Sequence, residues 1–258
     1  GTLTENGAGK LSAFTPEALQ YIRSLGATHV WFIGLLEHAT KTDYSAYGIT
    51  PDHPDTVKGQ AGSPYALKDY YDIDPDLADD PLRRQEELDA LIHRTHEAGL
   101  QVVMDFIPNH VARSYHSDAC PEGTVDLGAT DDSSQAFSPR NNFYYLPDSS
   151  LILPLSTSPS PYEEHPARAT GNDCFSPRPT ICDWYETVKL NYGVDYCGDG
   201  ALHADPLPDT WVKMRDILLY WAGRGIDGFR CDMTELVPPE FWAWAIPEIK
   251  AHYPEVCF

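Results

Sequence analysis

The most informative stretch of this sequence is QVVMDFIPNH, at residues 101–110. Its residues from Val102 to Ile107 are apolar except for Asp105, and they do not alternate with polar ones. Such a run is typical of a strand that is buried on both faces, as strands of parallel sheets are. A similar apolar run occurs at residues 29–35 (HVWFIGL), and we expect it to be another buried strand. Residues 225–233 (GIDGFRCDM) are the third predicted strand.

Helical patterns lie between these strands. Residues 15–25, 81–98, 210–222 and 241–253 carry apolar side chains at helical spacing, and Pro247 predicts a kink or a break in the last of them. Alternating helices and strands indicate an α/β fold with a parallel sheet. An open doubly wound sheet and a closed eight-stranded barrel both fit this order. No Gly-x-Gly-x-x-Gly follows a strand, which disfavours the nucleotide-binding version.

Composition excludes several classes of protein. The net charge of −21 follows from 18 basic and 39 acidic residues, and such a surface repels nucleic acid. No apolar run reaches about 18 residues, so we expect no membrane-spanning helix. The cysteines form no Cys-x-x-Cys pair, which argues against a zinc site. Localisation stays open, with a secreted or periplasmic protein slightly favoured.

Polar side chains follow the second and third predicted strands. Asp105, Asn109 and His110 lie at the end of one, and Arg230 and Asp232 at the end of the other. Reactive groups collect at this end of strands in parallel barrels. Because Arg230 and Asp232 are two residues apart, they leave the same face of a strand, and the guanidinium can hold the carboxylate ionised. The alternative is a buried ion pair with a structural role alone.

Two of these stretches resemble the signatures of a known family. DFIPNH (residues 105–110) and GFRCD (228–232) resemble the first and second signatures of the alpha-amylase family, glycoside hydrolase family 13. YYDIDP (70–75) and LPD (207–209) resemble shorter segments of it. The order of the segments also agrees. The resemblance implies part of a (β/α)8 TIM barrel, about strands 2 to 4, with a loop-rich domain B inserted between strands 3 and 4.

The implied organisation has three parts. Residues 1–110 would hold helix 1, strand 2, helix 2 and strand 3 of the barrel. Residues 111–208, rich in Ser, Pro, Asp, Asn and Tyr, would form domain B, with short strands possible at 143–146 and 151–153. Residues 209–258 would hold helix 3, strand 4, helix 4 and the start of strand 5.

The resemblance also implies roles for residues of the site. Asp232 would be the nucleophile that forms a glycosyl-enzyme intermediate, Arg230 its charge partner, and Asp105 the group that orients Arg230. His110 would hydrogen-bond the sugar just before the scissile bond. Tyr65 would be the aromatic platform under that sugar, because an aromatic face suits the apolar face of a sugar ring.

A structural calcium is a further implication of the resemblance. Asn109 and Asp209 match positions that hold the ion between domain B and the barrel, and the backbone carbonyl of Leu236 would be a third ligand. Oxygen ligands of this kind suit calcium. Leu236 stands where the family usually has a His, and Glu235 where a Lys is common. Both positions contact the leaving side of the substrate in the family, so the family's subsite preference there cannot be transferred to this chain.

The resulting functional hypothesis is a retaining glycoside hydrolase that acts on alpha-1,4-glucans such as starch or maltooligosaccharides. The family's acid/base Glu follows strand 5, so we expect residues 1–258 to be an inactive catalytic-domain fragment whose partner is the remainder of the barrel. Alternatives are a transglycosidase or isomerase of the same family, and a non-catalytic carbohydrate-binding homologue. A different barrel enzyme, with a metal held by Asp105, His110 and Asp232, is a further alternative.

Overall fold

The computed structural model describes residues 9–258, which form four α-helices and seven strands. The helices are α1 (Pro16–Ser24), α2 (Arg84–Glu97), α3 (Asp209–Gly223) and α4 (Pro239–His252). The strands are β1 (His29–Phe32), β2 (Gln101–Phe106), β3 (His110–Ala112), β4 (Tyr145–Leu146), β5 (Ala167–Arg168), β6 (Thr187–Lys189) and β7 (Gly228–Cys231). Single turns of 3-10 helix occupy Leu11–Ala13, Ser45–Tyr47, Pro54–Thr56, Pro75–Leu77, Pro81–Arg83 and Thr234–Leu236.

The three predicted strands form one parallel sheet in the order β1-β2-β7, which confirms the strands and the α/β fold class. The expected burial of the first strand is wrong, because Phe32 is the one buried residue of β1 and Trp31 is 44% exposed. Each strand is shorter than the predicted stretch. In β1 the strand ends at Phe32, shortly before Gly34, whose positive φ of 69° is incompatible with extended backbone. Cys257 makes a parallel bridge with Gly228, so the last residues of the chain begin to extend the sheet beyond β7.

The predicted helices are present, with small shifts at their ends. Thr15 caps α1, since its side chain accepts a hydrogen bond from the Ala18 N–H at 3.3 Å, and Pro16 occupies the first turn. The break expected at Pro247 does not occur, because α4 continues past it to His252. Within residues 9–258, no helix combines the length and apolar character needed to cross a membrane.

The core lies between the sheet and the helices. The inward face of α3 is buried as the apolar spacing predicts, through Trp211, Met214, Ile217, Leu218 and Trp221. Trp242 and Trp244 of α4 are partly buried and pack against this core. These packed elements fix the direction in which β2 and β7 present their last residues.

The loop-rich segment, residues 111–208, holds only short strands. The β6 strand pairs antiparallel with β3, and β4 pairs antiparallel with β5. Of the two strands expected here, 143–146 is represented by β4, whereas 151–153 forms none. Charged groups contribute to holding the segment together, since Glu164 pairs with Arg113 at 2.7 Å and with Arg168 at 2.8 Å.

Candidate active site

The predicted charged residues of β2 and β7 meet at the carboxyl end of the sheet. Asp105 lies directly opposite Arg230 in the β2–β7 register. Arg230 Nη1 donates to Asp232 Oδ1 at 2.7 Å and to Asp105 Oδ1 at 3.3 Å. One guanidinium nitrogen therefore connects both carboxylates, and the three side chains form a single charged cluster.

Aromatic rings also surround the Arg230 side chain. Its guanidinium carbon lies 5.2 Å from the centre of the Trp31 ring and 5.8 Å from that of Tyr65. Guanidinium groups are attracted to aromatic faces at such distances. Because Arg230 is held by two rings as well as two carboxylates, few orientations of its side chain remain.

Asp105 is the most buried member of the cluster, with 3% of its surface exposed. Burial raises the pKa of this carboxyl above its usual range, although the Gly34 N–H at 3.4 Å and Arg230 both act in the opposite direction. A buried carboxylate is costly unless it is hydrogen-bonded. The hydrogen bond from Arg230 therefore reaches Asp105 at the buried side of the cluster.

The backbone directs Asp232 away from the core. The Asp232 N–H donates to the Phe106 carbonyl at 2.8 Å, which continues the sheet contact past the end of β7. Met233 then adopts the left-handed conformation, with φ at 50°. Non-glycine residues rarely take this conformation, and it is most often found where a turn or a functional site requires it. The turn leaves Asp232 at the edge of a cleft.

This cleft has a volume of about 290 Å³ and brings together Asp232, His110 and Tyr65. The sequence analysis predicted these three residues to share the site, and the structure places them there. Other residues that line it had not been predicted, and most come from irregular segments: Lys58, Ser63, Ala66, Trp184, Glu186, Thr187 and Met233. No periodic pattern marks such residues, so only the tertiary structure reveals them.

His110 is 3% exposed and forms part of the cleft wall. Its ring lies 5.2 Å from that of Trp184, and its Nδ1 lies within hydrogen-bonding distance of Asn109 Nδ2, at 3.2 Å. Burial, helped by the nearby Lys189 ammonium, lowers the pKa of His110 to about 4. The imidazole is therefore neutral near pH 7, with one nitrogen that donates and one that accepts hydrogen bonds.

The two side chains predicted to bind calcium, Asn109 and Asp209, each contact a lysine ammonium. Lys189 Nζ donates to Asn109 Oδ1 at 2.9 Å, and Lys213 Nζ pairs with Asp209 Oδ2 at 2.8 Å. Leu236 lies in the 3-10 turn after β7. A calcium ion needs several free oxygen ligands and no competing cation. This donor set therefore does not fit calcium.

A metal bridging Asp105 and Asp232 is disfavoured for a related reason. Arg230 Nη1 is within hydrogen-bonding distance of both carboxylates, so a positive group already lies where the bridging ion would bind. The described cluster matches a charge-stabilised carboxylate rather than a metal centre.

Comparison with known proteins agrees with this geometry. The family model "Alpha amylase, catalytic domain" matches residues 3–149. The chain is 25% identical, over 97% of its length, to an alpha-1,4-glucan:maltose-1-phosphate maltosyltransferase of Burkholderia pseudomallei, and 25% identical, over 88% of its length, to Maltase 1 of Drosophila virilis. It covers 23% and 28% of these two proteins, about a quarter of each.

A solved structure gives the same result. The crystal structure of an alpha-amylase from Lactobacillus plantarum matches 96% of this chain with a TM-score of 0.57 and 25% identity, and the chain covers 40% of it. The family model matches more than half of the 258 residues, and it includes β2 with Asp105 and β3 with His110. The chain thus belongs to the alpha-amylase catalytic-domain family, glycoside hydrolase family 13.

Proposed function

We propose that this chain carries the nucleophile half of a retaining glycoside hydrolase that acts on alpha-1,4-glucans. The observation that carries the proposal is the Arg230–Asp232 hydrogen bond of 2.7 Å at the edge of the cleft. A carboxylate oriented by a fixed cation, and open to a cleft, is suited to attack a sugar carbon and form a covalent intermediate.

We assign the substrate subsite to Tyr65, His110 and Asp232. The neutral His110 ring can hydrogen-bond a sugar hydroxyl, and the Tyr65 ring can lie against the apolar face of the sugar. Trp184 adds a second aromatic ring to the cleft, from the loop-rich segment. The alpha-glucan specificity of this proposal is supported by the family and by the names of the relatives.

A retaining mechanism also needs a carboxyl that acts as acid and base. Among the described residues that line the cleft, Glu186 is the one other carboxylate, and it forms a 2.8 Å ion pair with Lys58. Lys58 therefore already contacts the one other carboxylate of the cleft. We propose that the acid/base is a Glu beyond the Cys257 bridge to Gly228, and that the sheet is part of a (β/α)8 barrel with residues 111–208 as its inserted domain.

Glycosyl transfer is the second candidate function, because several relatives, including the Burkholderia protein, are named as maltosyltransferases. Both reactions use the same covalent intermediate, and they differ in whether water or another acceptor attacks it. A non-catalytic carbohydrate-binding protein would retain the cleft and its aromatic rings without turning over substrate. The product distribution separates these three cases.

The test is a set of assays on the longest natural form of the protein with maltooligosaccharides. Asp232→Asn should abolish turnover, whereas Asp216→Asn, at an exposed position of α3, should leave it unchanged. Fresh product observed by NMR should have the alpha configuration. Products longer than the substrate would indicate transfer, and release of shorter reducing sugars alone would indicate hydrolysis. Binding without turnover would leave the carbohydrate-binding alternative, and full activity of Asp232→Asn would overturn the assignment.

A second assay uses residues 1–258 alone. We expect no release of reducing sugar, because its cleft presents Asp232 without a free acid/base partner among the described residues. Clear turnover that depends on Asp232 would contradict the proposed position of the acid/base.

A further inference from the structure

We propose that the ammonium group of Lys189 replaces a structural calcium ion, so that the contact between the end of β2 and the loop-rich segment needs no metal. The family resemblance implied calcium at Asn109, and the residues around Asn109 present a built-in cation instead.

The contacts of Lys189 carry this inference. Its side chain is 2% exposed, yet its Nζ has two oxygen partners, Asn109 Oδ1 at 2.9 Å and Asp173 Oδ1 at 2.5 Å. The ring of Tyr196 lies 5.5 Å from the same nitrogen. A buried ammonium is stable only where it is paired and hydrogen-bonded. An amide oxygen, a carboxylate and an aromatic face together meet that requirement.

The backbone fixes Lys189 at this place. Lys189 lies opposite His110 in the β3–β6 register, and the Leu190 N–H donates to the Asn109 carbonyl at 2.9 Å. Asp173 has a positive φ of 63°, within a turn closed by its own N–H and the Thr170 carbonyl. The lysine therefore joins the segment that follows β2 to two parts of the loop-rich segment, which is the connection expected of a structural ion.

A second lysine neutralises the other predicted ligand. Lys213 Nζ pairs with Asp209 at 2.8 Å and also donates to Asn142 Oδ1 at 2.8 Å and to the Asp126 carbonyl at 3.0 Å. Asn142 in turn donates to Asp209 Oδ2 at 2.9 Å. Asn109 and Asp209, the two side chains expected to bind calcium, therefore each have a lysine of the same chain as their partner. A divalent cation added at Asn109 would lie beside the Lys189 ammonium, and the two would repel each other.

The first test uses the unmodified protein. We expect its melting temperature to change by less than about 1 °C after treatment with EDTA or addition of calcium chloride, since no bound ion would stabilise the folded state. Metal analysis of the dialysed protein should find no stoichiometric calcium. A large fall in melting temperature with EDTA that calcium restores, or one bound calcium per chain that is lost from an Asn109→Ala variant, would overturn the proposal.

The second test removes the internal cation. Lys189→Met keeps a long side chain but leaves Asp173 and Asn109 without their partner, so we expect the melting temperature to fall by about 5–10 °C. The control is Lys41→Met, at an exposed position, which should change it little. An unchanged melting temperature in Lys189→Met would contradict the proposal. If that variant fails to fold, Lys189→Arg preserves the charge, and the EDTA and metal measurements on the unmodified protein decide the question.

Discussion

Arg230 Nη1 lies 2.7 Å from Asp232 Oδ1, and the same nitrogen reaches Asp105 at 3.3 Å. A lysine ammonium at this position has no planar group to stack on the Trp31 and Tyr65 rings, so nothing would fix its direction between the two carboxylates. We therefore expect Arg230→Lys to lower kcat by about 100-fold or more, measured with a maltooligosaccharide in the longest natural form of the protein.

The matched control for this substitution is Arg178→Lys, at an exposed position of the loop-rich segment, which should keep full activity. Circular dichroism should show that both variants fold. If Arg230→Lys retained most of the kcat, the guanidinium would have only a structural role.

Tyr65 combines a wall of the cleft with a contact to Arg230. Removal of the ring in Tyr65→Ala should lower kcat/KM by about tenfold, because sugar stacking and the support of Arg230 are both lost. Tyr65→Phe keeps the ring and should remain near the activity of the unmodified protein, as should Tyr21→Ala at a position that is 66% exposed. Equal losses in the Ala and Phe variants would show that the hydroxyl matters rather than the ring.

His110 makes the folded state sensitive to acid. Its folded pKa of about 4 lies below the ordinary value near 6.5, so between these values the unfolded chain binds a proton that the folded chain does not. The stability that depends on the neutral ring is complete above about pH 6.5 and is lost as the pH falls toward 4. Urea unfolding should show that the free energy of unfolding of the unmodified protein falls between pH 7.5 and pH 5. In His110→Gln we expect this fall to be smaller by roughly 1–2 kcal/mol.

The control for His110 is His93→Gln on the exposed side of α2, whose side chain is 73% exposed. That variant should keep the full pH dependence of the unmodified protein. The same slope in all three proteins would show that the environment of His110 does not cause the sensitivity to acid.

Glu37 should make the folded state less stable as the pH rises, which is the opposite of the effect expected from His110. Burial raises its pKa to about 8, despite the Lys68 ammonium at 3.4 Å, and neither carboxyl oxygen has a hydrogen-bond partner. The unfolded chain releases this proton near pH 4.5, whereas the folded chain retains it until about pH 8. Stability should therefore decrease as the pH rises from about 4.5 to 8, by roughly 2–4 kcal/mol from this group.

A neutral amide at this position should remove that decrease. We expect the unfolding free energy of Glu37→Gln to vary less than that of the unmodified protein between pH 6 and pH 8, measured by urea unfolding. Glu97→Gln, at a position whose side chain is 66% exposed, is the control and should behave like the unmodified protein. A steeper pH dependence in Glu37→Gln would mean that Glu37 is ionised and stabilised by Lys68.

Strong local patterns account for the correct part of the fold prediction. The largely apolar runs that became β1 and β2 indicated parallel strands, because such runs without alternation are typical of these sheets. Burial followed the prediction in β2, whereas β1 has one buried residue. The α3 helix was equally clear from its spacing of Trp and Leu residues. Pro247 predicted a kink or a break, and the break is absent, because the packing of α4 tolerates a proline within the helix.

In the site, the sequence by itself predicted which charged residues lie together at the end of the sheet. The two-residue spacing predicted that Arg230 and Asp232 leave the same face of a strand, because successive side chains of a strand alternate in direction. The stretch from Asp105 to His110 was recognised by its resemblance to a family signature. Only the tertiary structure decided what surrounds them. Trp184 and Glu186 reach the cleft from an irregular segment far along the chain, where no periodicity predicts the position of a side chain. Lys189 reaches Asn109 from the short strand β6, and only the pairing of β6 with β3 brings the two residues together.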